Sequence, residues 1–271
     1  METTVKFEKN SFKNRLQSML KVDFRRMFKT KYFYIIVACA LVIPILITVM
    51  MSMMDGSVSV NPQTGEETIM EGPENTWQSI GTLPTADRES MGGMDVMGMC
   101  NINMMFMAVA VFVCLFITDD FRSGYAKNLF TVRAKKGEYV ISKTVMGFIC
   151  GAMLLIAYFV GAILGGAISG LSFDLCGLTT GNLVMCMLAK ILLMLVFMPI
   201  FVLISVAAKQ KAWLALCGSL GGGMLLFMMV PMITPLSSTI VNVGLCLAGG
   251  LVFSLGLGVI SNRVLNKTSL V

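Results

Sequence analysis

Long apolar stretches dominate the chain and are separated by shorter polar segments. Six of them are mostly apolar over about 20 residues, the length a helix needs to cross the hydrocarbon core of a bilayer. They cover residues 32–54, 95–118, 144–168, 183–208, 213–232 and 240–261. Barrel strands would instead alternate apolar and polar residues, and inside lipid only helices and closed barrels satisfy their own backbone. The pattern therefore predicts an all-α, polytopic membrane protein with six transmembrane helices in one domain, residues 1–271.

The segment before the first span has a helical period. Over residues 11–30 the apolar positions recur at spacings of three and four, which places them on one face of a helix. They are Phe12, Leu16, Met19, Leu20, Phe24, Met27 and Phe28. Basic residues occupy the other faces, so this helix is expected to lie flat in the headgroup layer. It is either a plain basic anchor or an elbow helix that braces the spans of a transporter.

Composition supports the membrane assignment and excludes several other classes of protein. Hydrophobic residues make up 56% of the 271 residues and charged residues 13%, against about 25% charged in soluble domains. Histidine is absent, which excludes histidine-based catalysis and imidazole zinc sites. The eight cysteines form no CxxC pair and lie mostly in apolar runs, so a disulfide scaffold is not indicated.

Basic residues are unevenly shared between the predicted loops. Almost all lie before the first span, between spans two and three, between spans four and five, or after span six; Arg88 is the exception in the first loop. The positive-inside rule then predicts that both termini are cytoplasmic. The net charge of +6 follows from this topology and from contact with anionic lipid, and gives no reason to expect nucleic acid as a partner.

The predicted outer loop, residues 55–94, is acidic, rich in proline and glycine, and long for a simple connection. It is either a flexible loop or a small outer cap that meets a cationic ligand. Methionines cluster beside it, at Met50–Met54 and Met91–Met107, among 25 in the chain. Three interpretations stay open for them: adaptable packing, an apolar outer chamber for an amphipathic peptide or lipid, and, with least support, a thioether copper site. No metal site is predicted.

The loop between spans two and three, residues 119–143, carries the most informative pattern. An acidic pair, Asp119 and Asp120, ends span two, and aromatic and aliphatic residues then recur at helical spacing. A basic turn leads back into span three. In so small a loop the apolar face has little to cover it, which favours a partner protein as its cover.

Here the sequence resembles the ABC type-2 permease family, the membrane subunits of bacterial ATP-driven exporters. The resemblance rests on an acidic residue and an aromatic at the end of span two, then a glycine, a Lys-Asn-Leu helix, a basic residue, an aromatic-aliphatic pair and a lysine. The matching residues are Asp120, Phe121, Gly124, Lys127, Asn128, Leu129, Arg133, Tyr139, Val140 and Lys143. The elbow helix and the six-span layout with both ends inside extend it to nearly the whole chain.

The resemblance implies a multi-pass protein of the bacterial cytoplasmic membrane that works with a separate cytoplasmic ATPase and with a second permease, identical or paralogous. A coupling helix over Phe121–Arg133 would enter a cleft on that ATPase. The residues implied in coupling are Asp120, Phe121, Arg122, Gly124, Tyr125, Lys127, Asn128, Leu129, Phe130 and Arg133. The chain itself would need no cofactor, because ATP and Mg would be bound by the partner ATPase.

Residues for catalysis are not found in the sequence. No G-x-x-x-x-G-K-[ST] phosphate loop, GxSxG elbow or HExxH motif occurs, so a transport subunit is expected rather than an enzyme. Lys190 is the one charged residue at depth in a span; it either snorkels to the outer headgroups or faces the substrate path or partner permease. In the second case the path would be formed by Lys190 with Asn101, Asn103 and Met104.

The function expected from these observations is that of the permease subunit of an ABC exporter, forming half of the translocation pathway. The acidic outer loop and the methionines favour amphipathic cargo, such as an antimicrobial peptide handled for self-immunity, a drug or a lipid. A non-transporting membrane scaffold or sensor that binds a cytoplasmic partner through the same loop is the alternative.

Overall fold

The computed structural model describes residues 12–60, 67–69, 72–81, 101–132 and 136–267. Most of these residues are in helices, which confirms the all-α class. They are α1 (Phe12–Lys29), α2 (Lys31–Met53), α3 (Met104–Arg122), α4 (Tyr125–Val132), α5 (Lys136–Ser169), α6 (Thr180–Ala208), α7 (Ala212–Phe227), α8 (Val230–Ile233) and α9 (Ile240–Lys267). The described part of the first loop adds an antiparallel pair, β1 (Val58–Val60) and β2 (Glu67–Ile69), and a 3₁₀ helix, Thr76–Ser79.

Five helices in the described part of the chain are long and apolar enough to cross a membrane: α2, α3, α5, α6 and α9. The prediction of six transmembrane helices is therefore not confirmed. The fifth predicted span, 213–232, is divided into α7 and the short α8. Pro231 explains the division, since its ring has no N–H to donate to the carbonyl of Phe227 and crowds it. At 16 residues, α7 is about 24 Å long, less than the hydrocarbon core.

Other boundaries differ less. The helix of span three begins at Lys136, ahead of the predicted residue 144, and the last helix continues to Lys267 instead of ending near residue 261. The predicted start of span two, residues 95–100, lies outside the described residues. The amphipathic helix predicted over 11–30 is present as α1.

The contacts between helices set their directions. Gly147 and Gly151 of α5 face Met198 and Met194 of α6, so these two helices are antiparallel. The Ser254 hydroxyl of α9 donates to the carbonyl of Leu195 in α6. Nearer the start of both helices, the side chain of Asn182 donates to the carbonyl of Ser238. Residue numbers therefore rise in the same direction along both helices, and α9 runs parallel to α6. As a result the starts of α2, α5 and α7 and the ends of α3, α6 and α9 lie at one end of the bundle, with α1 and α4. We call this the α4 end.

Small residues allow α2 and α5 to pack closely. A Cβ atom built on Gly161 would lie 2.2 Å from the carbonyl oxygen of Leu41, and one on Gly165 would lie 3.0 Å from the Cα of Ile45. With no side chain, these glycines let the two helix backbones come close together. By contrast, Gly244 and Gly256 of α9 have open space at the corresponding position.

Part of the predicted outer loop is packed tightly against the end of the bundle opposite α4. Trp77 is 8% exposed, stacks on Phe159 with ring centroids 6.2 Å apart, and donates its indole N–H to the carbonyl of Phe173 at 3.0 Å. The backbone N–H of Thr76 also donates to Ser172 at 3.1 Å. Residues 72–81 therefore do not form a flexible connection, whereas Glu66, Glu71 and Asp87 lie outside the described residues.

Candidate functional site

The turn between α3 and α4 is made by a glycine. Gly124 adopts φ +74°, a left-handed conformation that glycine reaches at no steric cost, and α3 ends just before it at Arg122. The helix predicted over Phe121–Arg133 therefore begins later: Phe121 and Arg122 belong to α3, and α4 starts at Tyr125. Arg133 lies outside the described residues.

Four charged side chains meet where α1, α3 and α5 converge, and we call them the junction cluster: Asp23, Arg26, Asp120 and Lys143. The Lys143 ammonium lies 2.7 Å from a carboxylate oxygen of Asp23 and 2.7 Å from one of Asp120. The Arg26 guanidinium lies 2.6 Å from the other oxygen of Asp120. Side chains of Lys143, Asp23 and Asp120 are at most 1% exposed. The cluster thus joins α1 to the end of α3 and the start of α5 by charge.

Hydroxyl groups and aromatic rings complete the surroundings of the junction cluster. Ser142 donates its hydroxyl to Asp23 at 2.6 Å, and Tyr139 donates to Asp120 at 3.0 Å. The Lys143 ammonium lies 4.5 Å from the ring centroid of Phe116, and the Arg26 guanidinium lies 4.1 Å from that of Tyr125. A cation over an aromatic face is attracted by the ring quadrupole, so Tyr125 connects α4 to the cluster.

The charges in this group balance, with two carboxylates facing two cations, so no net charge is buried. Burial alone would lower the pKa of Arg26, but the Asp120 carboxylate beside it raises that pKa above the usual value. Burial raises the pKa of Tyr125, and the negative charge of Asp23 acts in the same direction. Arg26 therefore stays cationic and the Tyr125 phenol stays neutral at ordinary pH.

The apolar face of α4 is covered by this chain. Ala126 is fully buried, and the ring of Phe130 packs edge-on against Tyr139 with centroids 5.3 Å apart. Leu129 is partly buried against the same core. The cover that the sequence led us to expect from a partner protein is therefore supplied in part by this chain. The reason is that α5 begins eight residues earlier than predicted and brings Tyr139 beneath α4.

The polar face of α4 is what remains exposed. Lys127 and Asn128 point outward, and Arg122 before the turn is exposed with them. Nine of the ten residues implied in coupling are described, Arg133 being the exception. The structure exposes Arg122, Lys127 and Asn128, half-buries Gly124, Tyr125, Leu129 and Phe130, and buries Asp120 and Phe121. The buried ones can position α4 but cannot themselves form a contact surface.

Two further contacts tie the α4 end together. Arg15 of α1 forms an ion pair with Glu138 of α5 at 2.8 Å, and Glu138 is 2% exposed. Lys136, at the start of α5, donates to the carbonyl of Leu265 near the end of α9 at 2.8 Å. Together with the junction cluster they connect α1, α3, α5 and α9 around the base of α4.

The residues predicted for a translocation path are only partly brought together. Lys190 donates to the side chain of Asn103 at 2.7 Å. Asn101, two residues before Asn103, is also buried, whereas Met104 is 38% exposed. Lys190 is fully buried in protein, so the snorkelling interpretation is wrong: its ammonium is held between helices and does not reach the surface. The assignment of these residues to a path stays a prediction.

Sequence reasoning missed Asp23, although the sequence contains a signal for it. Met19, Asp23 and Met27 recur every four residues, so Asp23 lies in the middle of the apolar stripe of an amphipathic helix, and the structure buries all three. A carboxylate on such a stripe needs a buried cation, which Lys143 supplies. Arg26 was seen only as one of several basic residues.

Comparison with known proteins gives one match. A family model described as ABC-2 family transporter protein matches residues 19–225, from within α1 to near the end of α7. The match includes the whole junction cluster, α4 and Lys190. No curated protein and no solved structure matches the chain.

Proposed function

Because this chain belongs to the ABC-2 family of transporter membrane proteins, we propose that it is the permease subunit of an ATP-driven exporter and that the exposed face of α4 contacts a separate ATPase. The observation that carries the proposal is the combination of an exposed polar face with a rigid buried base. Lys127 and Asn128 are free to meet a partner, while Tyr125 and Ala126 in the same two turns are held by the rest of the chain.

The junction cluster gives this contact a mechanical consequence. A force applied to α4 reaches α3 across the single turn at Gly124, and reaches α1 and α5 through the carboxylate of Asp120. Packed elements joined by such contacts move as units and not as independent parts. Closure of an ATPase against α4 would therefore shift three helices together.

We propose that ATP hydrolysis and transport take place on separate subunits. The chain has no phosphate loop of the G-x-x-x-x-G-K-[ST] type, so we assign ATP and Mg to the partner ATPase and no cofactor to this subunit. The basic residues favour an orientation with the α4 end in the bacterial cytoplasm and α1 as an elbow helix at the inner membrane surface.

A second permease, identical or paralogous, is part of the proposal. In the most apolar 18 residues of α9 only 11% of the residues are buried by the described chain, and in those of α2 only 22% are. Such faces need lipid or another membrane protein as cover. Cargo would then cross between the two permeases, each contributing one half of the pathway.

For the cargo we propose an amphipathic molecule, which could be a peptide, a drug or a lipid. The support is the set of exposed methionines at the end opposite α4, including Met50 and Met53, which are 59% and 82% exposed. Methionine side chains adapt to varied apolar ligands. The methionines of residues 91–99 lie outside the described residues, so an antimicrobial peptide as cargo remains a prediction.

The proposed contact is tested by charge reversal on the exposed face. A tagged chain extracted gently from its native membrane is expected to retain an ABC ATPase in about equal amount. Lys127→Glu should lower the amount of retained ATPase by about tenfold. The reason is that a glutamate would repel a partner surface that is complementary in charge to the lysine. Lys21→Glu is the matched control, since Lys21 is an exposed lysine on α1. The control should retain the ATPase.

Two results would count against the proposal. Equal retention by both variants would move the contact away from α4. A partner of equal amount without ATPase activity would favour the scaffold or sensor. Helical circular dichroism of each variant shows whether the fold is intact. Gly124 and Phe130 are less suitable test positions, because Gly124 has a left-handed φ and the ring of Phe130 packs on Tyr139.

A further inference from the structure

Three donors at helical spacing on α6 face the turn between α8 and α9. The side-chain amide of Asn182 donates to the carbonyl of Ser238 at 3.2 Å, and the thiol of Cys186 lies 3.6 Å from the carbonyl of Thr234. The ammonium of Lys190 donates to the hydroxyl oxygen of Thr234 at 3.1 Å. Residues four apart on a helix share one face, so α6 presents a row of donors to a single turn.

Lys190 differs from the other two donors because it also reaches a third element. Its ammonium donates to the side-chain oxygen of Asn103, just before α3, at 2.7 Å. Lys190, Asn103 and Thr234 are each at most 1% exposed. Among the described residues, no carboxylate pairs with Lys190. The long side chain is thus used to bridge α3, α6 and the turn by hydrogen bonds.

The bridged turn is the place where the predicted fifth span is interrupted. Thr234 follows α8, a helix of only four residues, and has φ −124° and ψ 60°, which end helical geometry. Its hydroxyl also donates to the carbonyl of Val230 at 2.7 Å. Little backbone hydrogen bonding holds so short a helix, so its position depends on contacts with neighbouring elements.

We propose that Lys190 is a positioning residue that clasps the α8–α9 turn to the start of α3 and thereby keeps the end of the bundle opposite α4 closed. The clasp is a property of this chain and rests on the two hydrogen bonds that Lys190 donates, to Thr234 and to Asn103. Its use in transport, as the contact that must open to release cargo, rests on the proposed permease function. The bridge consists of hydrogen bonds that the Lys190 ammonium donates to two neutral side-chain oxygens.

The first test measures the clasp in the full chain without any ATPase. Thr234→Val removes the acceptor for Lys190 at nearly constant volume. The matched control is Thr48→Val, because Thr48 is also buried and donates to the carbonyl four residues earlier, Pro44, at 2.7 Å. Hydrogen–deuterium exchange is followed at the backbone amides of Ile233, Thr234 and Ser238, which are hydrogen-bonded within α8 and the turn that follows it.

Thr234→Val should speed exchange of these three amides by roughly tenfold, while Thr48→Val leaves them unchanged. Asn103→Asp should slow them, because a carboxylate in place of the amide strengthens the bond to the ammonium. Unchanged exchange in both Thr234→Val and Asn103→Asp would overturn the clasp. Faster exchange throughout the bundle in Thr234→Val would also overturn it, since the residue would then serve general stability.

The second test concerns transport and uses the chain with its co-purified ATPase. Asn103→Asp should lower ATP-dependent flux of an amphipathic fluorescent dye from vesicles while ATPase binding is retained. Slowed exchange together with unchanged flux would overturn the role of the clasp in cargo release. Failure to retain any ATPase, with the exchange results as expected, would contradict the permease function and leave the clasp itself standing.

Discussion

Replacing Lys143 by methionine is the most informative perturbation of the junction cluster. The substitution keeps an unbranched side chain of similar length but removes the cation that Asp23 and Asp120 share. The cluster then holds two carboxylates against Arg26 alone. Asp23, which is 1% exposed, would be left buried without its counter-charge.

The magnitude follows from the distances. At an effective dielectric constant of about 20, each contact at 2.7 Å contributes about 6 kcal/mol of Coulomb energy. Desolvation of the buried ions cancels much of this, and removal of one partner of a buried pair costs about 3–5 kcal/mol. We expect Lys143→Met to lower the free energy of unfolding by that amount. Asp23→Asn combined with Lys143→Met restores charge balance and should be less destabilising than Lys143→Met alone.

Equilibrium unfolding in mixed micelles, followed by helical circular dichroism, measures these differences. Lys127→Met is the control, since Lys127 is exposed on α4 and its loss should change the free energy by less than about 0.5 kcal/mol. A loss below about 1 kcal/mol for Lys143→Met would refute the reasoning. A double variant as unstable as the sum of its two single variants would refute it as well, because the two residues would then not be coupled.

Three other substitutions test the packing of the fold. Gly161→Ala should lower the free energy of unfolding by more than about 1 kcal/mol in the same assay, because the added Cβ would lie 2.2 Å from the carbonyl oxygen of Leu41. Gly244→Ala is the control and should not destabilise the chain, because a Cβ at Gly244 meets open space. Gly124→Ala should lower the free energy of unfolding by about 1 kcal/mol, because alanine is strained at a φ of +74° although its Cβ would meet no other atom. An unchanged free energy of unfolding would show that the α3–α4 turn does not need this conformation. Trp77→Phe should cost about 1 kcal/mol by removing the hydrogen bond to Phe173, and unchanged thermal unfolding would argue against the docking of residues 72–81.

The sequence predicted the helices well where a strong apolar period or run was present. The amphipathic stripe located α1, and the apolar runs located α2, α5, α6 and α9 to within a few residues at most ends. Hydropathy alone does not show where the fifth predicted span is divided, because α7 and α8 are both apolar. Pro231 is the sequence signal for a break at the end of this span, because a proline removes the hydrogen bond to the carbonyl four residues earlier.

The candidate site was predicted only in part, since its key contacts join residues far apart in the chain. Asp120 and Lys143 were identified through the family resemblance, but Asp23 lies 120 residues from Lys143 and no local pattern connects them. The same holds for Lys190, whose partners Asn103 and Thr234 come from two other elements. A single sequence shows which side chains are unusual for their surroundings, and the fold decides which of them meet.

Site-specific photocrosslinking shows directly whether the exposed face of α4 contacts an ATPase. A photoreactive residue is placed at Asn128, on the exposed face, or at Ser237, exposed at the opposite end of the bundle. After irradiation in the native membrane, adducts are purified and identified by mass. The account predicts an adduct with an ABC ATPase from position 128 and none from position 237. An intact ATPase complex that crosslinks from position 237, or fails to crosslink from position 128, would contradict it.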